Sequence, residues 1–439
     1  MSKTIGVSMY NVGFGDCFLL RFPDPNGGRE HRMLIDCGSI KRGSQDNQPI
    51  EIDDVVDQII RDVTDDDDVP RIDIVAMTHR HKDHVSGFTS PAWAEVEVGE
   101  VWMPWTEDPD DPKARRLLQE MSSFAKALHA EFKTLQALGG LNATESSLIA
   151  HVLENTLDLS ARSLDDVGSM DVVALSNEDA MATLHRGFRG GSQGATRRFL
   201  RRTTPSSPRR PIPGADIHVL GPSDREEVIA DMDPPSNESF LRISQQVDDP
   251  RATILPYEGT PVSTTDEVPG LSAGLAQLLE RVANGSAGLA AAALEKAVNN
   301  TSLFLAIEFG HAMLLFPGDS QWGSWKLVLD DPWRRELIRR TTFFKVGHHG
   351  SHNSNPRSFI EDPLLSDLWA AATSVTRHGR FTQIPEPDLV KELQKRFADA
   401  GDVVAGLVRS DERPSVQDAP TGVVVDNPIR TDFEVPTGL

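Results

Sequence analysis

The sequence predicts a mixed α/β (α+β) fold, an αββα sandwich whose two strand-rich halves are separated by a helical insertion. Two observations support this prediction. Short apolar runs rich in Val, Ile and Phe alternate with segments whose apolar residues recur every three or four positions, which indicates strands and helices in one domain. In addition, the most distinctive polar motifs directly follow strand-like runs, where loops held by a rigid sheet commonly carry function.

The first half of the chain begins with a meander of strands separated by Gly- and Pro-containing turns. A helix follows and leads into the apolar run that precedes the most distinctive motif. The predicted elements are strands 5–10, 17–22 and 32–36, helix 51–63, and strands 72–77 and 101–105.

A helical excursion then interrupts the strand pattern. After Pro112, apolar residues recur at helical spacing with no further Pro, which predicts helices over 112–138 and 143–159. The strand-rich pattern returns beyond residue 211. The predicted elements there are strands 217–220, 302–309, 313–316, 343–346, 368–375 and 403–408, and helices 271–283, 288–298, 322–329 and 387–400.

These elements divide the chain into four parts. Residues 1–105 and 212–410 are the two halves of one domain, and 106–211 is a helical insertion with an Arg-rich loop. Residues 411–439 are rich in Pro and Asp, and we interpret them as a C-terminal tail that forms a surface strand or a loose end.

Composition indicates a cytoplasmic protein that does not interact with membranes. The sequence has no run of 18 apolar residues and no basic and apolar leader after Met1. Two cysteines, Cys17 and Cys37, are too few for a disulfide framework, and we interpret them as buried thiols. The formal net charge of −22 argues against non-specific binding of nucleic acid by the whole surface.

Charge is unevenly distributed along the chain. The acidic runs 65–68 and 107–111 are interpreted as solvated loops. No acidic residue occurs between Asp179 and Asp216, a window that holds Arg186, Arg189, Arg197, Arg198, Arg201, Arg202, Arg209 and Arg210. Three interpretations stay open: a clamp for a phosphate-bearing substrate, a mobile loop, and neutralisation of the protein's own acidic face.

The segment 78–84 predicts a metal site. Its sequence is THRHKDH, so His79, His81, Asp83 and His84 fall within a few residues of the strand that ends near Met77. Imidazole and carboxylate groups suit zinc, manganese or iron, and a rigid strand would hold the following loop in place. We interpret the alternating Arg80 and Lys82 as solvated.

This H-x-H-x-D-H motif resembles the hallmark of the metallo-β-lactamase superfamily. Three further motifs follow the family's order: a strand ending in Asp36, the run 313–319 ending in Asp319, and the run 343–351 containing His348 and His349. The Gly-rich turn 11–17 and the His-His-Gly-Ser sequence resemble, more narrowly, the soluble metallo-hydrolase domain of bacterial competence proteins, which handle incoming DNA.

The resemblance implies a site for two divalent metal ions, zinc in the first place, with manganese, iron or a single ion as alternatives. The implied ligands are His79, His81, Asp83, His84, Asp319 and His348. Asp83 and Asp319 would also be catalytic, with Asp319 bridging the ions. The implied supporting or substrate-contacting residues are Asp36, His349, His352 and His378.

The chain departs from the family at one ligand position. Gly221 stands where relatives often carry a third-motif histidine. His352 or His378 are the candidate substitutes, and a one-metal site is the alternative. His218 is three residues earlier in a predicted strand, and we expect it to point away from the site.

The function that these motifs favour is a metal-dependent phosphodiesterase or nuclease that uses a metal-bound hydroxide. Its substrate would contain phosphate, as nucleic acids and nucleotides do. The alternatives are a hydrolase of another ester, thioester or lactone bond, and a non-catalytic metal-binding module. A β-lactamase is disfavoured by the missing export signal, and a flavodiiron-like role by His81 at a position where those proteins have a carboxylate. Substrate identity and oligomeric state do not follow from the sequence.

Overall fold

The structure is a computed structural model, which describes residues 4–45, 48–119, 121, 177–189, 194–203, 208–240, 296–362, 367–373, 384–400, 405–410 and 413–438. Within these ranges the chain forms two large β-sheets with helices packed on them. The prediction of a mixed α/β fold is therefore confirmed. The helices predicted over 122–159 and 271–295 lie outside the described residues.

The first sheet has eight strands in the order β15-β16-β1-β2-β3-β6-β7-β8. Its strands are β1 Thr4–Tyr10, β2 Cys17–Phe22, β3 His31–Cys37, β6 Arg71–Ala76, β7 Glu97–Pro104, β8 Thr196–Leu200, β15 Val423–Val424 and β16 Arg430–Pro436. The neighbours β3, β6, β7 and β8 run parallel. A separate small hairpin is made by β4 Gly43–Gln45 and β5 Gln48–Ile50.

The second sheet has six strands in the order β14-β13-β12-β11-β10-β9. Its strands are β9 Ala215–Gly221, β10 Phe304–Phe309, β11 Ala312–Phe316, β12 Phe343–Lys345, β13 Ala370–Thr373 and β14 Gly406–Arg409. The strands predicted over 302–309 and 313–316 are confirmed as β10 and β11, which pair antiparallel. From β11 to β14 the strands are parallel.

The helices predicted over 51–63, 322–329 and 387–400 are confirmed, and within the described residues the structure adds five short helices that the sequence did not predict. The helices are α1 Ile52–Asp62, α2 Lys82–Val85, α3 Glu178–Ala182, α4 Glu226–Ile229, α5 Trp322–Leu329, α6 Pro332–Arg339, α7 Arg357–Ile360 and α8 Pro387–Ala400. Residues 112–119 and 296–299 are also helical. In the described part of the chain, no helix combines the length and apolar character needed to cross a membrane.

The main core lies between the two sheets. Ile35 and Ile74 from the first sheet and Leu314 and Phe343 from the second belong to one buried apolar cluster. Ring contacts also cross the interface, since the Phe18 ring lies 5.5 Å from that of Phe316. The two sheets therefore pack face to face, and each sheet buries one apolar face against the other.

Two further apolar clusters cover the outer faces of the sheets. Val55 and Ile59 of α1 pack against the first sheet, while Trp325 of α5 and Leu389 of α8 pack against the second. These contacts arrange the chain in four layers, with the helices outside and the sheets inside.

Two segments differ from the prediction. Residues 196–200, inside the predicted helical insertion, form β8 at the edge of the first sheet. Residues 430–436, inside the predicted tail, form β16 and pair with β1 from Thr4 to Tyr10. Phe433 and Val435 are fully buried, so the interpretation of this segment as a surface strand or loose end is wrong. The core fold extends to the end of the described chain.

Candidate metal centre

The candidate metal centre lies where loops from both sheets converge. The 78–84 motif follows β6, Asp319 follows β11, and His348 and His349 follow β12. The backbone N–H of Leu303, just before β10, donates to the carbonyl of Thr78 at 2.9 Å and ties the two sheets together here. Because the carboxyl ends of parallel strands present loops on a rigid edge, the ligand-bearing loops are brought together.

Asp36, which the resemblance implies as a supporting residue, contacts the start of the 78–84 motif. Its carboxylate accepts hydrogen bonds from the backbone N–H of Thr78 at 2.7 Å and from the Thr78 hydroxyl at 2.6 Å. The same carboxylate lies 2.8 Å from His84 Nδ1. Holding Nδ1 in this way turns His84 Nε2 toward the cluster, where it lies 3.2 Å from Asp319 Oδ2.

His79 and His81 form the second part of the cluster. His79 Nε2 lies 3.0 Å from His81 Nδ1 and 4.0 Å from Asp319 Oδ2. Both imidazoles are buried, and the His79 and His84 rings are 4.1 Å apart between centroids. The structure thus brings together the three histidines that the motif predicted as ligands.

The two histidines after β12 face different neighbours. His349 Nε2 lies 3.2 Å from Asp83 Oδ2, whereas His348 Nε2 lies 3.7 Å from Asp319 Oδ2 and 3.4 Å from Asn299 Nδ2. Both residues adopt left-handed backbone, with φ of 44° at His348 and 51° at His349. This uncommon conformation allows consecutive residues to place both imidazoles at the cluster.

Asp16 joins the site from the loop before β2. Its carboxylate lies 3.7 Å from His349 Nδ1 and 3.8 Å from His84 Nδ1. One ligand atom from each of Asp16, His84, Asp319 and His349 lies within 4.8 Å of the others, and all four residues are buried. These four residues could hold a metal ion.

Lys345 is the buried cation of the site. Its ammonium group forms an ion pair with Asp16 and lies 3.6 Å from Asp319 Oδ1. Burial would lower the pKa of Lys345, but Asp16 and Asp319 raise it above its ordinary value. Lys345 is therefore a permanent positive charge beneath the cluster.

The imidazoles of the cluster fall into two groups. Burial, with His84 and His81 as neighbours, lowers the pKa of His79 well below its ordinary value. Burial likewise lowers the pKa of His81 to about 4. Burial also acts on His84, but Asp319, Asp36 and Asp83 outweigh it and raise the pKa of His84 well above the ordinary value. His79 and His81 are therefore neutral near pH 7, the state in which imidazole binds metals.

Two carboxylates of the cluster, Asp319 and Asp83, are ionised despite their burial. Burial raises the pKa of Asp319, but His84, His348 and Lys345 lower it well below its ordinary value. The pKa of Asp83 is also lowered, because His84 and His349 outweigh the effect of burial. Ionised carboxylates and neutral imidazoles are the protonation states that divalent cations require of their ligands.

The remaining polar atoms of the cluster fit a cation. Among the described residues, His81 Nε2, Asp83 Oδ1 and Asp319 Oδ1 are buried and have no hydrogen-bond partner. Such atoms are costly unless something binds them. Asp16, Asp36, Asp83 and Asp319 are also all buried, and among the described residues Lys345 is the lysine that contacts two of them, Asp16 and Asp319, so the site favours a bound positive charge.

Gly221 stands at the position where relatives often carry the third-motif histidine, and it is part of the described chain. Gly221 ends β9, and a Cβ placed on it would lie 3.1 Å from the Cβ of Phe304. His218 is directed elsewhere, because its Nε2 lies 3.8 Å from Glu308 and its ring packs 5.5 Å from that of Trp333. This confirms that His218 points away from the site.

Of the two candidate substitutes for the missing histidine, the structure describes only one. His352 is half-buried in the turn that follows the His-His-Gly-Ser sequence, and His378 lies outside the described residues. Among the described residues, His352 is not part of the group of ligand atoms within 4.8 Å. His348 is the additional imidazole that the structure places beside Asp319.

Two charged residues near the motif are not solvated as the sequence suggested. Arg80 forms an ion pair with Glu107, through its Nε at 3.0 Å and through a second nitrogen. Glu107 is buried in the short helical turn after β7. The interpretation of both residues as solvated is therefore wrong, because they form an ion pair that is largely shielded from water.

The Arg-rich segment is largely paired with the protein's own acids. The pairs are Arg198 with Glu100, Arg201 with Asp111, Arg202 with Asp331, and Arg210 with Asp216. Arg198 binds Glu100 through two nitrogens, at 2.7 and 2.6 Å. The mobile-loop interpretation is wrong for 196–200, and these pairs support the alternative of intramolecular neutralisation.

Sequence reasoning missed two residues of the site, Asp16 and Lys345. One signal for Asp16 was present in the Gly-rich turn. A Cβ on Gly15 would lie 2.1 Å from the carbonyl oxygen of Gly38 and 2.6 Å from that of Asp83, so the turn packs directly against the metal-binding loop. Glycine permits this close approach. For Lys345, one residue of an apolar strand, the sequence offered no comparable signal.

Comparison with protein-family models found no match for this chain, and comparison with curated proteins found no significant match. The resemblance to the metallo-β-lactamase superfamily therefore stays a prediction from the motifs.

Proposed function

We propose that the chain is a metal-dependent hydrolase of the metallo-β-lactamase type that cleaves phosphodiester bonds. The observation that carries the proposal is the buried cluster in which His79, His84 and Asp319 meet after strands of both sheets. The order of the four sequence motifs supports the assignment to this superfamily. The four-layer packing of helices and sheets is consistent with its αββα sandwich.

The contacts suggest how two ions would share the ligands. His79, His81 and His348 would hold one ion, and His84, Asp83 and His349 would hold the other. Asp319 would bridge them, because it contacts members of both groups. In this arrangement His348 would take the place of the histidine that is missing at Gly221. His349, which the resemblance placed among the supporting or substrate-contacting residues, would be a ligand as well.

A divalent cation in this site supplies the nucleophile, since it lowers the pKa of bound water from about 15.7 towards about 7. The chain's own residues then orient the reactants. Asp83 is ionised, and its Oδ1 has no hydrogen-bond partner among the described residues, so it can accept a hydrogen bond from the attacking water. Asp36 fixes His84, and Thr78 holds Asp36 in turn.

Two arguments favour a phosphodiester. Two ions joined by a carboxylate suit in-line displacement at phosphorus, because both the attacking and the leaving oxygen are stabilised. The narrower resemblance, to the hydrolase domain of DNA-handling competence proteins, also points to nucleic acid or nucleotides. A second candidate is hydrolysis of a carboxylic ester, thioester or lactone. It is favoured by the ion pairs that Arg198 and Arg201 form with acidic residues of the protein, because arginines in such pairs are less able to bind phosphate.

The proposal is tested with bis(p-nitrophenyl) phosphate and p-nitrophenyl acetate, using protein loaded with zinc or manganese. The variant Asp319→Ala removes the central carboxylate, and Asp330→Ala on the surface is the control. We expect hydrolysis of the phosphodiester by the wild type and the control, and a loss of at least about 100-fold in Asp319→Ala. Preference for the acetate would favour the second candidate. Unchanged turnover by Asp319→Ala would contradict the site assignment.

A further inference from the structure

Lys345 and Asp16 form a buried ion pair that the proposed chemistry does not use. Lys345 is 2% exposed and Asp16 is 1% exposed, so neither reaches a substrate in solvent. Besides Asp16, the Lys345 ammonium group contacts the carbonyl of Gly318 at 3.4 Å and Asp319 Oδ1 at 3.6 Å. The pair is thus held inside the protein.

Asp16 lies on the Nδ1 side of His349, as Asp36 lies on the Nδ1 side of His84, but at a longer distance of 3.7 Å, and Asp16 also lies 3.8 Å from His84 Nδ1. Asp36 faces His84 Nδ1, and His84 Nε2 then faces Asp319. Asp16 Oδ1 faces His349 Nδ1 at 3.7 Å, and His349 Nε2 then faces Asp83 at 3.2 Å. A carboxylate on the outer nitrogen of a histidine fixes the ring and the position of its proton, which makes the inner nitrogen a better metal ligand.

We propose that Lys345 is a positioning residue that holds Asp16 beside His349 Nδ1. The inference rests on the proposed metal binding. Asp16 is close enough to the ligand group to bind an ion directly. Its ion pair with Lys345 occupies Oδ2 and leaves Oδ1 facing His349.

This role and a purely electrostatic role predict opposite effects of removing Lys345. If Lys345 only adds positive charge, its loss tightens the binding of a divalent cation, because like charges repel. If Lys345 positions Asp16, its loss weakens binding at the ion beside His349, because the ring is no longer held.

The experiment titrates metal-free full-length protein with Co²⁺ by calorimetry and records the visible absorption of the bound ion. The variants are Lys345→Met, Asp16→Asn and the double variant, with the exposed Lys391→Met as a control for lost charge. The double variant removes both members of the pair, so it avoids leaving one buried charge without its partner. Far-UV circular dichroism confirms that each variant is folded.

We expect Lys345→Met and Asp16→Asn to bind one Co²⁺ about 10- to 100-fold more weakly than wild type, with a changed absorption band. The double variant should match Asp16→Asn, because Lys345 acts through Asp16. Equal or tighter Co²⁺ binding by Lys345→Met would overturn the proposal. If Lys345→Met does not fold, the double variant is compared with Asp16→Asn instead. A different Co²⁺ affinity of these two variants would overturn the proposal. Absence of Co²⁺ binding by the wild type would instead refute the proposed function.

Discussion

Asp36 is buried and contacts both Thr78 and His84 of the site, so its removal should destabilise the whole protein. The buried carboxylate accepts three hydrogen bonds, from the Thr78 N–H at 2.7 Å, the Thr78 hydroxyl at 2.6 Å and His84 Nδ1 at 2.8 Å. In Asp36→Ala these three donors lose their acceptor. A buried donor left without a partner costs about 1–3 kcal/mol, so we expect a loss of roughly 3–5 kcal/mol when partial relaxation is allowed for.

The assay is urea unfolding of metal-free protein in the presence of a chelator, so that metal binding does not contribute to stability. A typical domain is stable by about 5–15 kcal/mol, and the expected loss is therefore a large shift of the unfolding midpoint. Thr78→Val removes only one of the three donors and should cost about 1 kcal/mol. A loss below about 1 kcal/mol in Asp36→Ala would refute the reasoning that these bonds hold the motif in place.

Three further predictions concern the fold and its response to pH and metal. Phe433→Ala in β16 should cost about 3–5 kcal/mol in urea unfolding, because the ring is fully buried and packs 5.2 Å from that of Phe343; a surface-like cost below about 0.5 kcal/mol would contradict its core role. Partial burial would raise the pKa of Asp73, but hydrogen bonds from Arg29 and from the Arg32 N–H hold it below the ordinary value, so Asp73 stabilises the protein above a pH of about 4 and this contribution is lost as pH falls through the lowered pKa. Acid unfolding should therefore show a stability deficit of Asp73→Asn that is largest near neutral pH and shrinks below about pH 4; a deficit independent of pH would argue against this linkage. Zinc at about 100 times its dissociation constant should raise the stability by about 2.7 kcal/mol, a gain measured by urea unfolding that should vanish on chelation and be absent in Asp319→Ala.

Much of the fold could be predicted because its strands carry local signals. The apolar run of β2 was predicted with its observed bounds, Cys17–Phe22, and the helix Trp322–Leu329 was also predicted with its observed bounds. Period-two and period-3.6 patterns of apolar residues indicate these elements without knowledge of their partners.

The segments that were missed depend on partners far away in the chain. β16 contains Asp432 and Glu434, and its local sequence resembles a polar tail. Its strand conformation comes from pairing with β1 and from Asp432, which accepts hydrogen bonds from Ser8 and Arg21. In the same way, β8 is stabilised as a strand by β7 and by the pair between Arg198 and Glu100. Tertiary contacts of this kind leave no periodic pattern in the segment itself.

The site was predictable to the extent that its residues lie together in sequence. His79, His81, Asp83 and His84 share one loop, and the structure brings them together with Asp319. His348 and His349 face different neighbours because both have left-handed backbone, which the sequence does not reveal. Asp16 and Lys345 meet only because the two sheets pack face to face.

The central claim is that the cluster around Asp319 binds metal, and metal content tests it most directly. Wild-type protein and Asp319→Ala are loaded with zinc, desalted, and measured by inductively coupled plasma mass spectrometry against protein concentration. The account predicts at least one zinc ion retained per wild-type chain and a clear loss of zinc in the variant. A wild-type protein that retains no metal, or a variant that retains as much as the wild type, would contradict it.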